Sequence, residues 1–209
     1  MIVAALGGSA AAADWKVAVP DGWKQAQDPS VDQQLAKLRG VQSTTGAEAT
    51  VYLSPDQSTQ LTILHWTLEG MAGGRSGLES LNRGVTEGAR ETAIAGKGSD
   101  TSAFDGNELV ADQTELVGTL RIRQHRKFVV DAAHRTHMVT AMCASAGVNA
   151  DCERAISGLQ LTIPNVVAPE SSQPSARRND IAYQAGQITG VVLVLALLGG
   201  FLWSRSKKK

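Results

Sequence analysis

Two cysteines lie close together in the second half of the chain. Cys143 and Cys152 are separated by eight loop-like residues, a spacing that lets the chain turn back on itself. A redox-active pair is disfavoured because no CxxC begins a helix, and a metal site is disfavoured because no further ligands stand at zinc-site spacing. In an exported chain an even, close pair predicts a structural disulfide, and two free buried thiols are the alternative.

The sequence contains four histidines, at His65, His125, His134 and His137. On a strand His134 and His137 would point to opposite faces because their separation is odd, and no third residue is spaced to complete a zinc or copper site. The sequence also lacks the G-x-S-x-G nucleophile motif and a complete phosphate-binding loop. We therefore expect no enzyme, no catalytic residue, no metal and no cofactor.

One segment carries positive charge on alternate residues of a predicted strand. Arg121, Arg123, His125 and Lys127 would share one strand face, with apolar residues largely on the other. We call these four residues the basic stripe. Its simplest interpretation is a solvated sheet face or a charged edge strand. The functional hypothesis is a docking stripe for an acidic partner or anionic lipid headgroups. The formal net charge of zero argues against nucleic acid as a partner.

The end of the chain predicts a transmembrane helix. Residues 185–203 form an apolar run in which only Gln187 and Thr189 are polar, and a basic tail follows at 204–209. As a helix the run would reach about 28 Å, close to the roughly 30 Å hydrocarbon core of a bilayer. A buried helix of a soluble domain and a cleaved sorting signal are the alternatives. Within the run Gly186 and Gly190 form a GxxxG motif, which predicts a homodimer through close helix packing.

The other end of the chain resembles a signal peptide. Residues 1–13 are rich in small and apolar residues, and Ala11 and Ala13 fit a cleavage site before Asp14, although a basic n-region is missing. Export together with the C-terminal run predicts a single-pass protein of the bacterial inner membrane. Its domain would be periplasmic and its C-terminus cytoplasmic, and a tail-anchored protein with a cytosolic domain is the alternative.

Between these two segments, residues 14–164 have the length of one ordinary domain. The residue pattern predicts a strand, a helix, a strand hairpin, a second helix, a meander of three strands and a last helix. Short turns between successive strands imply an antiparallel sheet with helices packed on it, an α+β fold. Residues 165–184 contain prolines and serines without apolar periodicity and predict a flexible linker.

Two stretches of the domain resemble the Mog1/PsbP-like superfamily. They are the opening W-K-V-A-V-P-D-G-W at 15–23 and the closing A-I-S-G-L-Q-L at 155–161, and the similarity extends over Tyr52 to Leu161. The resemblance implies an α/β/α sandwich and a non-catalytic accessory role, with no active site to carry over. We therefore expect a membrane-anchored protein that binds a protein partner at the cell envelope. A small-molecule or ion-binding envelope sensor is the alternative.

Overall fold

The structure is a computed structural model, and it describes residues 14–27, 29–40, 44–69, 74–92, 98–169, 179–192 and 194. The predicted signal peptide at 1–13 and the basic tail at 204–209 lie outside the described residues, as do 170–178 of the predicted linker and much of the apolar run. Strand residues make up 46% of what is described.

Nine strands and four helices occur in the described part of the chain. In chain order they are β1 (Asp14–Lys16), β2 (Lys24–Ala26), α1 (Pro29–Arg39), β3 (Thr44–Leu53), β4 (Thr59–Glu69), α2 (Arg75–Thr92), β5 (Ser99–Asp105), β6 (Glu108–Val117), β7 (Leu120–Val130), β8 (Arg135–Ser145), α3 (Ala150–Ser157), β9 (Gln160–Thr162) and α4 (179–192 and 194).

Seven of the strands form one antiparallel sheet in the order β2-β3-β4-β8-β7-β6-β5. The β5–β6 and β6–β7 hairpins turn at Gly106 and Gly118, whose φ angles of 58° and 61° favour glycine. The remaining two strands, β1 and β9, pair with each other in a small second sheet, where Trp15 lies opposite Leu161.

Both faces of the seven-stranded sheet are covered, and each face has its own apolar core. On one face, which we call the helical face, residues such as Trp66, Phe128 and Met138 pack with α1, α2 and α4. On the other, the disulfide face, residues such as Ile63 and Val139 pack with α3, β1 and β9. The predicted bond between Cys143 and Cys152 is confirmed, and it ties β8 to α3 on that face.

The predicted fold class is wrong in its transmembrane helix. No helix in the described part of the chain is long and apolar enough to cross a membrane. The chain is instead mostly sheet, and the fourth helix, α4, lies on the helical face with Ala182, Ala185 and Val192 in the core. Val192 lines a small apolar cavity together with Leu35 of α1 and Leu64 of β4. Part of the apolar surface of α4 is therefore buried against protein, whereas Ile181 and Ile188 remain exposed.

The GxxxG motif of α4 packs against a second one on α2. A Cβ atom added to Gly84 would lie 3.0 Å from the Cα of Gly186, and one added to Gly190 would lie 2.6 Å from the backbone nitrogen of Ala89. Gly88 likewise lies against the backbone of α4. Side chains at these positions would therefore force the two helices apart. The close approach that glycine permits is made within one chain, and the homodimer through Gly186 and Gly190 stays a prediction.

The contact between α2 and α4 predicts that replacing a glycine by alanine lowers the free energy of unfolding, the opposite of the usual effect in a helix. In an ordinary helix Gly→Ala stabilises by about 0.5–1 kcal/mol. Gly88→Ala should instead lower the free energy of unfolding by about 1–3 kcal/mol, because the new methyl group overpacks the α2–α4 contact. Urea denaturation measures this change.

Gly147→Ala is the control, since no atom lies within 4 Å of an added Cβ there. A Gly88→Ala protein as stable as the wild type would show that α4 does not pack on α2 in solution.

Candidate functional site

A tight turn joins the small sheet to the large one. The backbone N–H of Trp23 donates to the carbonyl oxygen of Pro20 at 3.3 Å, and Gly22 has a φ of 79°. These values fit a type II turn, which requires positive φ at its third residue. A Cβ atom added to Gly22 would lie 3.5 Å from the ring of Pro55, which stands in the turn between β3 and β4. The turn therefore has a fixed position between the two sheets.

Two adjoining cavities flank this turn, with volumes of about 300 Å³ and 260 Å³. We call them together the turn cleft. Three residues line both cavities: Val19, Pro20 and Asp21. The larger cavity is also lined by Ala18, Asp151, Arg154 and Ala155, and the smaller by Gly22, Trp23, Gln25 and Tyr52.

The two ends of the turn cleft differ in chemistry. The half-buried ring of Trp23 and the buried ring of Tyr52 form an aromatic wall at one end. Burial raises the pKa of the Tyr52 hydroxyl, which therefore stays neutral at physiological pH. At the other end Asp151 and Arg154 form an exposed ion pair at 3.3 Å. The cleft thus offers stacking surface at one end and charge at the other.

The disulfide fixes the charged wall of the turn cleft. Cys152 stands between Asp151 and Arg154 on α3, and its bond to Cys143 holds this helix on β8. The side chain of Asn149 caps α3 by accepting a hydrogen bond from the backbone N–H of Cys152 at 3.0 Å. A wall held by a covalent bond and a helix cap needs little ordering when a ligand binds.

An edge of the large sheet runs along the aromatic wall. β2 is the terminal strand, and among the described residues only β3 pairs with it. Gln25, in the middle of β2, lies opposite Tyr52 and lines the turn cleft. The other edge of this short strand therefore presents backbone N–H and C=O groups beside the cleft.

The basic stripe lies on the disulfide face of β7, and its charges are compensated. Arg121 pairs with Glu153 of α3. The other contacts are Arg123 to Asp112 at 2.7 Å and to Glu153 at 3.6 Å, His125 to Asp112 at 3.2 Å, and Lys127 to Glu108 at 3.0 Å. The structure thus places the four side chains together, as the alternation predicts, but each has an acidic partner. A docking role for the stripe stays a prediction.

A histidine network on the same face is absent from the sequence-based predictions. His65 Nδ1 lies 3.1 Å from a carboxylate oxygen of Glu48, and His137 Nε2 lies 3.1 Å from one of Asp131. His65 Nε2 lies 3.5 Å from the hydroxyl oxygen of Thr67, and His137 Nδ1 lies 3.3 Å from the same oxygen. The sequence analysis compared His137 with His134, which is exposed in a turn. The partner, His65, lies on the neighbouring strand, so only the register could reveal it.

This network does not form a metal site of the usual kind. In the described part of the chain no group of three or more His, Cys, Asp or Glu side chains could hold a metal ion. The electrostatics are those of a buried pair. Burial lowers the pKa of His137. Burial alone would raise the pKa of Asp131, but hydrogen bonds from His137 and Arg135 together lower it to about 2.

The lowered pKa of His137 predicts that acid destabilises the fold well above the range of carboxylate titration. The folded state favours the neutral ring, so its contribution is complete above the unfolded pKa of about 6.5 and declines as the pH falls below it. Asp131 adds a second loss between about pH 4 and pH 2. The free energy of unfolding, measured by urea from pH 8 to pH 4, should therefore fall from about pH 6.5 downward.

His137→Gln should remove most of the first decline, whereas His134→Gln, at an exposed position, should leave it unchanged. The same slope in all three proteins would contradict the assignment to His137.

Comparison of the chain with protein-family models and with curated proteins gives no match. The Mog1/PsbP-like resemblance therefore stays a prediction. Function must be inferred from the geometry of the turn cleft and of the strand edge beside it.

Proposed function

We propose that the protein is a non-catalytic binding protein that takes up an extended segment of a partner protein along β2 and in the turn cleft. The observation that carries this proposal is the position of β2. It is the terminal strand of the large sheet, and its middle residue, Gln25, lines a cleft with an aromatic wall.

The chemistry of a strand edge favours a polypeptide as the ligand. Backbone N–H and C=O groups repeat along an edge at the spacing of a second strand, so an extended peptide can add to the sheet and complete their hydrogen bonds. Main-chain bonds give affinity in such complexes, and a side-chain pocket gives specificity. The smaller cavity of the turn cleft, next to Gln25, would supply that pocket.

The aromatic wall supports the same interpretation. Trp and Tyr are enriched in protein–protein interfaces, and truncation of such residues often costs much of the binding energy. Trp23 is half-buried, so part of its ring is already ordered by the protein and part remains open to a ligand. Binding there would restrict few new side-chain rotations.

The disulfide supports a location outside the cytoplasm. Stable disulfides are rare in reducing compartments and common in exported proteins. The bond between Cys143 and Cys152 therefore favours a partner in the cell envelope or beyond it. This compartment agrees with the exported domain that the first residues of the chain predict.

A small-molecule ligand is the second candidate, and the volume of the turn cleft favours it. The larger cavity, at about 300 Å³, reaches the lower end of the size range of ligand pockets, and the smaller, at about 260 Å³, adjoins it. Such a ligand would need the cleft but would not need the edge of β2, so protection of the strand backbone separates the two candidates.

The test of the proposal is a photo-crosslinking amino acid placed at Gln25. We expect it to crosslink one defined polypeptide, whereas the same group at Ser102 should not, because Ser102 is exposed on β5 at the opposite edge of the sheet. A synthetic peptide covering the crosslinked region should then slow amide hydrogen exchange in β2. Crosslinking without such protection, or equal crosslinking from Ser102, would contradict strand addition.

Trp23→Ala should weaken the binding of that peptide by about tenfold or more, the usual loss for an aromatic residue at the centre of an interface. Leu116→Ala is the control because Leu116 is a 44% exposed apolar residue on β6, well separated from β2 in the strand order. Equal losses for the two variants would mean that the turn cleft has no special role.

A further inference from the structure

Five side chains form a continuous row of contacts on the disulfide face. They are Glu48 of β3, His65 and Thr67 of β4, His137 of β8 and Asp131 between β7 and β8, and we call them together the histidine network. Each carboxylate contacts the outer nitrogen of one ring, at 3.1 Å in both cases. The inner nitrogen of each ring contacts the hydroxyl oxygen of Thr67. Because an ionised carboxylate only accepts hydrogen bonds, both outer nitrogens carry a hydrogen, and any added proton must reside on an inner nitrogen.

The hydrogen-bonding capacity of the histidine network favours one added proton. Without it both inner nitrogens are acceptors, and the single hydrogen of the Thr67 hydroxyl satisfies only one of them. One added proton on His65 Nε2 donates to the oxygen of Thr67, whose own hydrogen is then donated to His137 Nδ1. A second added proton leaves the Thr67 hydrogen without an acceptor in the network. Only the state with one added proton pairs every group, as buried polar groups normally are.

The surroundings of the two rings oppose the second proton. The rings are stacked with their centroids 5.8 Å apart, so positive charges on both would repel each other. Burial lowers the pKa of His137, and Arg135, which pairs with Asp131 at 2.7 Å, adds a positive charge beside it. The other charged groups on the neighbouring strands are Lys127, which pairs with Glu108, Glu69, which lies opposite Arg135, and the mutually paired Asp14 and Lys16 of β1.

The two carboxylates of the histidine network also attach the small sheet to the large one. Glu48 Oε1 accepts a hydrogen bond from the indole N–H of Trp15 in β1 at 3.3 Å. Asp131 forms a single antiparallel β-bridge with Val166, which follows β9 in the chain. The residues after β1 line the turn cleft. A rearrangement of the network is therefore transmitted to the small sheet and through it to the cleft.

We propose that the histidine network is a pH-sensitive latch, which holds the small sheet while it carries one added proton and opens when it receives a second. The second charge drives the two stacked rings apart. Their movement withdraws Glu48 from Trp15 and Asp131 from Val166, so β1 and β9 loosen from the large sheet. Release of a bound partner by acid rests on the proposed function, whereas the latch itself does not.

The first measurement follows the assigned ring signals of His65 and His137 by NMR, in the whole wild-type protein from pH 8 to pH 4. We expect the pair to take up its protons in two steps separated by more than about one pH unit, because the charges interact strongly. A single step in which both rings titrate together would contradict the latch.

Thr67→Val removes the hydroxyl between the rings but keeps the size of the side chain. The first step should move to lower pH, because the added proton loses its hydrogen-bond acceptor. Thr136→Val is the matched control, since Thr136 is also buried and precedes His137 but lies on the helical face. It should leave both steps in place. Unchanged steps in Thr67→Val, or equal shifts in the two variants, would overturn the shared proton.

The second measurement is amide hydrogen exchange of the wild type at pH 7 and pH 5, without a partner and corrected for the pH dependence of exchange itself. The amides of β1 and β9 should lose protection by about tenfold or more at pH 5, while those of β4 and β8 keep theirs. Equal protection of the small sheet at both pH values, or an equal loss in all four strands, would overturn the latch.

His137→Gln, which cannot accept the second proton, should keep its β1 and β9 protected at pH 5. A loss as large as in the wild type would place the acid-sensitive group elsewhere. Both measurements are made without a partner, so their outcome is independent of crosslinking from Gln25, which tests the proposed function.

Discussion

The central strand of the sheet, β8, is the constraint on which the other features depend. It pairs with β4 on one side and β7 on the other, and residues on both of its faces are buried. Met138 and Met142 fill the core of the helical face, while Val139 and Ala141 fill that of the disulfide face. A strand buried on both faces requires layers on both sides. This requirement accounts for α1, α2 and α4 on the helical face and for α3, β1 and β9 on the disulfide face.

Two covered faces leave few places where polar side chains can reach water, so they must find partners inside the fold. The basic stripe on β7 is half-buried and is matched by acids on β6 and α3. His137 is matched by Asp131, and its lowered pKa follows from the same burial. Arg126 departs from this pattern among the described residues, because its Nε and Nη1 atoms have no hydrogen-bond partner, and the buried Oε2 of Glu115 also lacks one.

Local features of the fold are predictable from the sequence, and contacts between distant segments are not. Alternation correctly places Arg121 and Lys127 on one face of a strand, and the spacing of the cysteines correctly predicts their bond. β5 escapes prediction because it is polar and exposed at an edge, with no apolar alternation to mark it. The acidic partners of the stripe, such as Glu153, are distant in sequence, so only the folded register reveals that its charge is compensated.

The described part of the apolar run, 185–192 and 194, shows why composition misleads. A lipid bilayer and a protein core are both apolar, so a helix that is poor in polar residues suits either. The distinguishing feature is a complementary surface elsewhere in the chain. Here it is a second GxxxG on α2, at Gly84 and Gly88, whose bare backbone receives Gly186 and Gly190.

The turn cleft depends on both sheets at once. Residues 18–23 leave β1, which is held by β9, and enter β2, which is held by β3, so the position of Trp23 is set by two separate pairings. The charged wall of the turn cleft belongs to α3, which the disulfide attaches to β8. A cleft built at such a junction can be rigid although its lining residues belong to a loop. The same junction leaves β2 at the edge of the sheet as the structure describes it, which is why the cleft and an edge strand occur together.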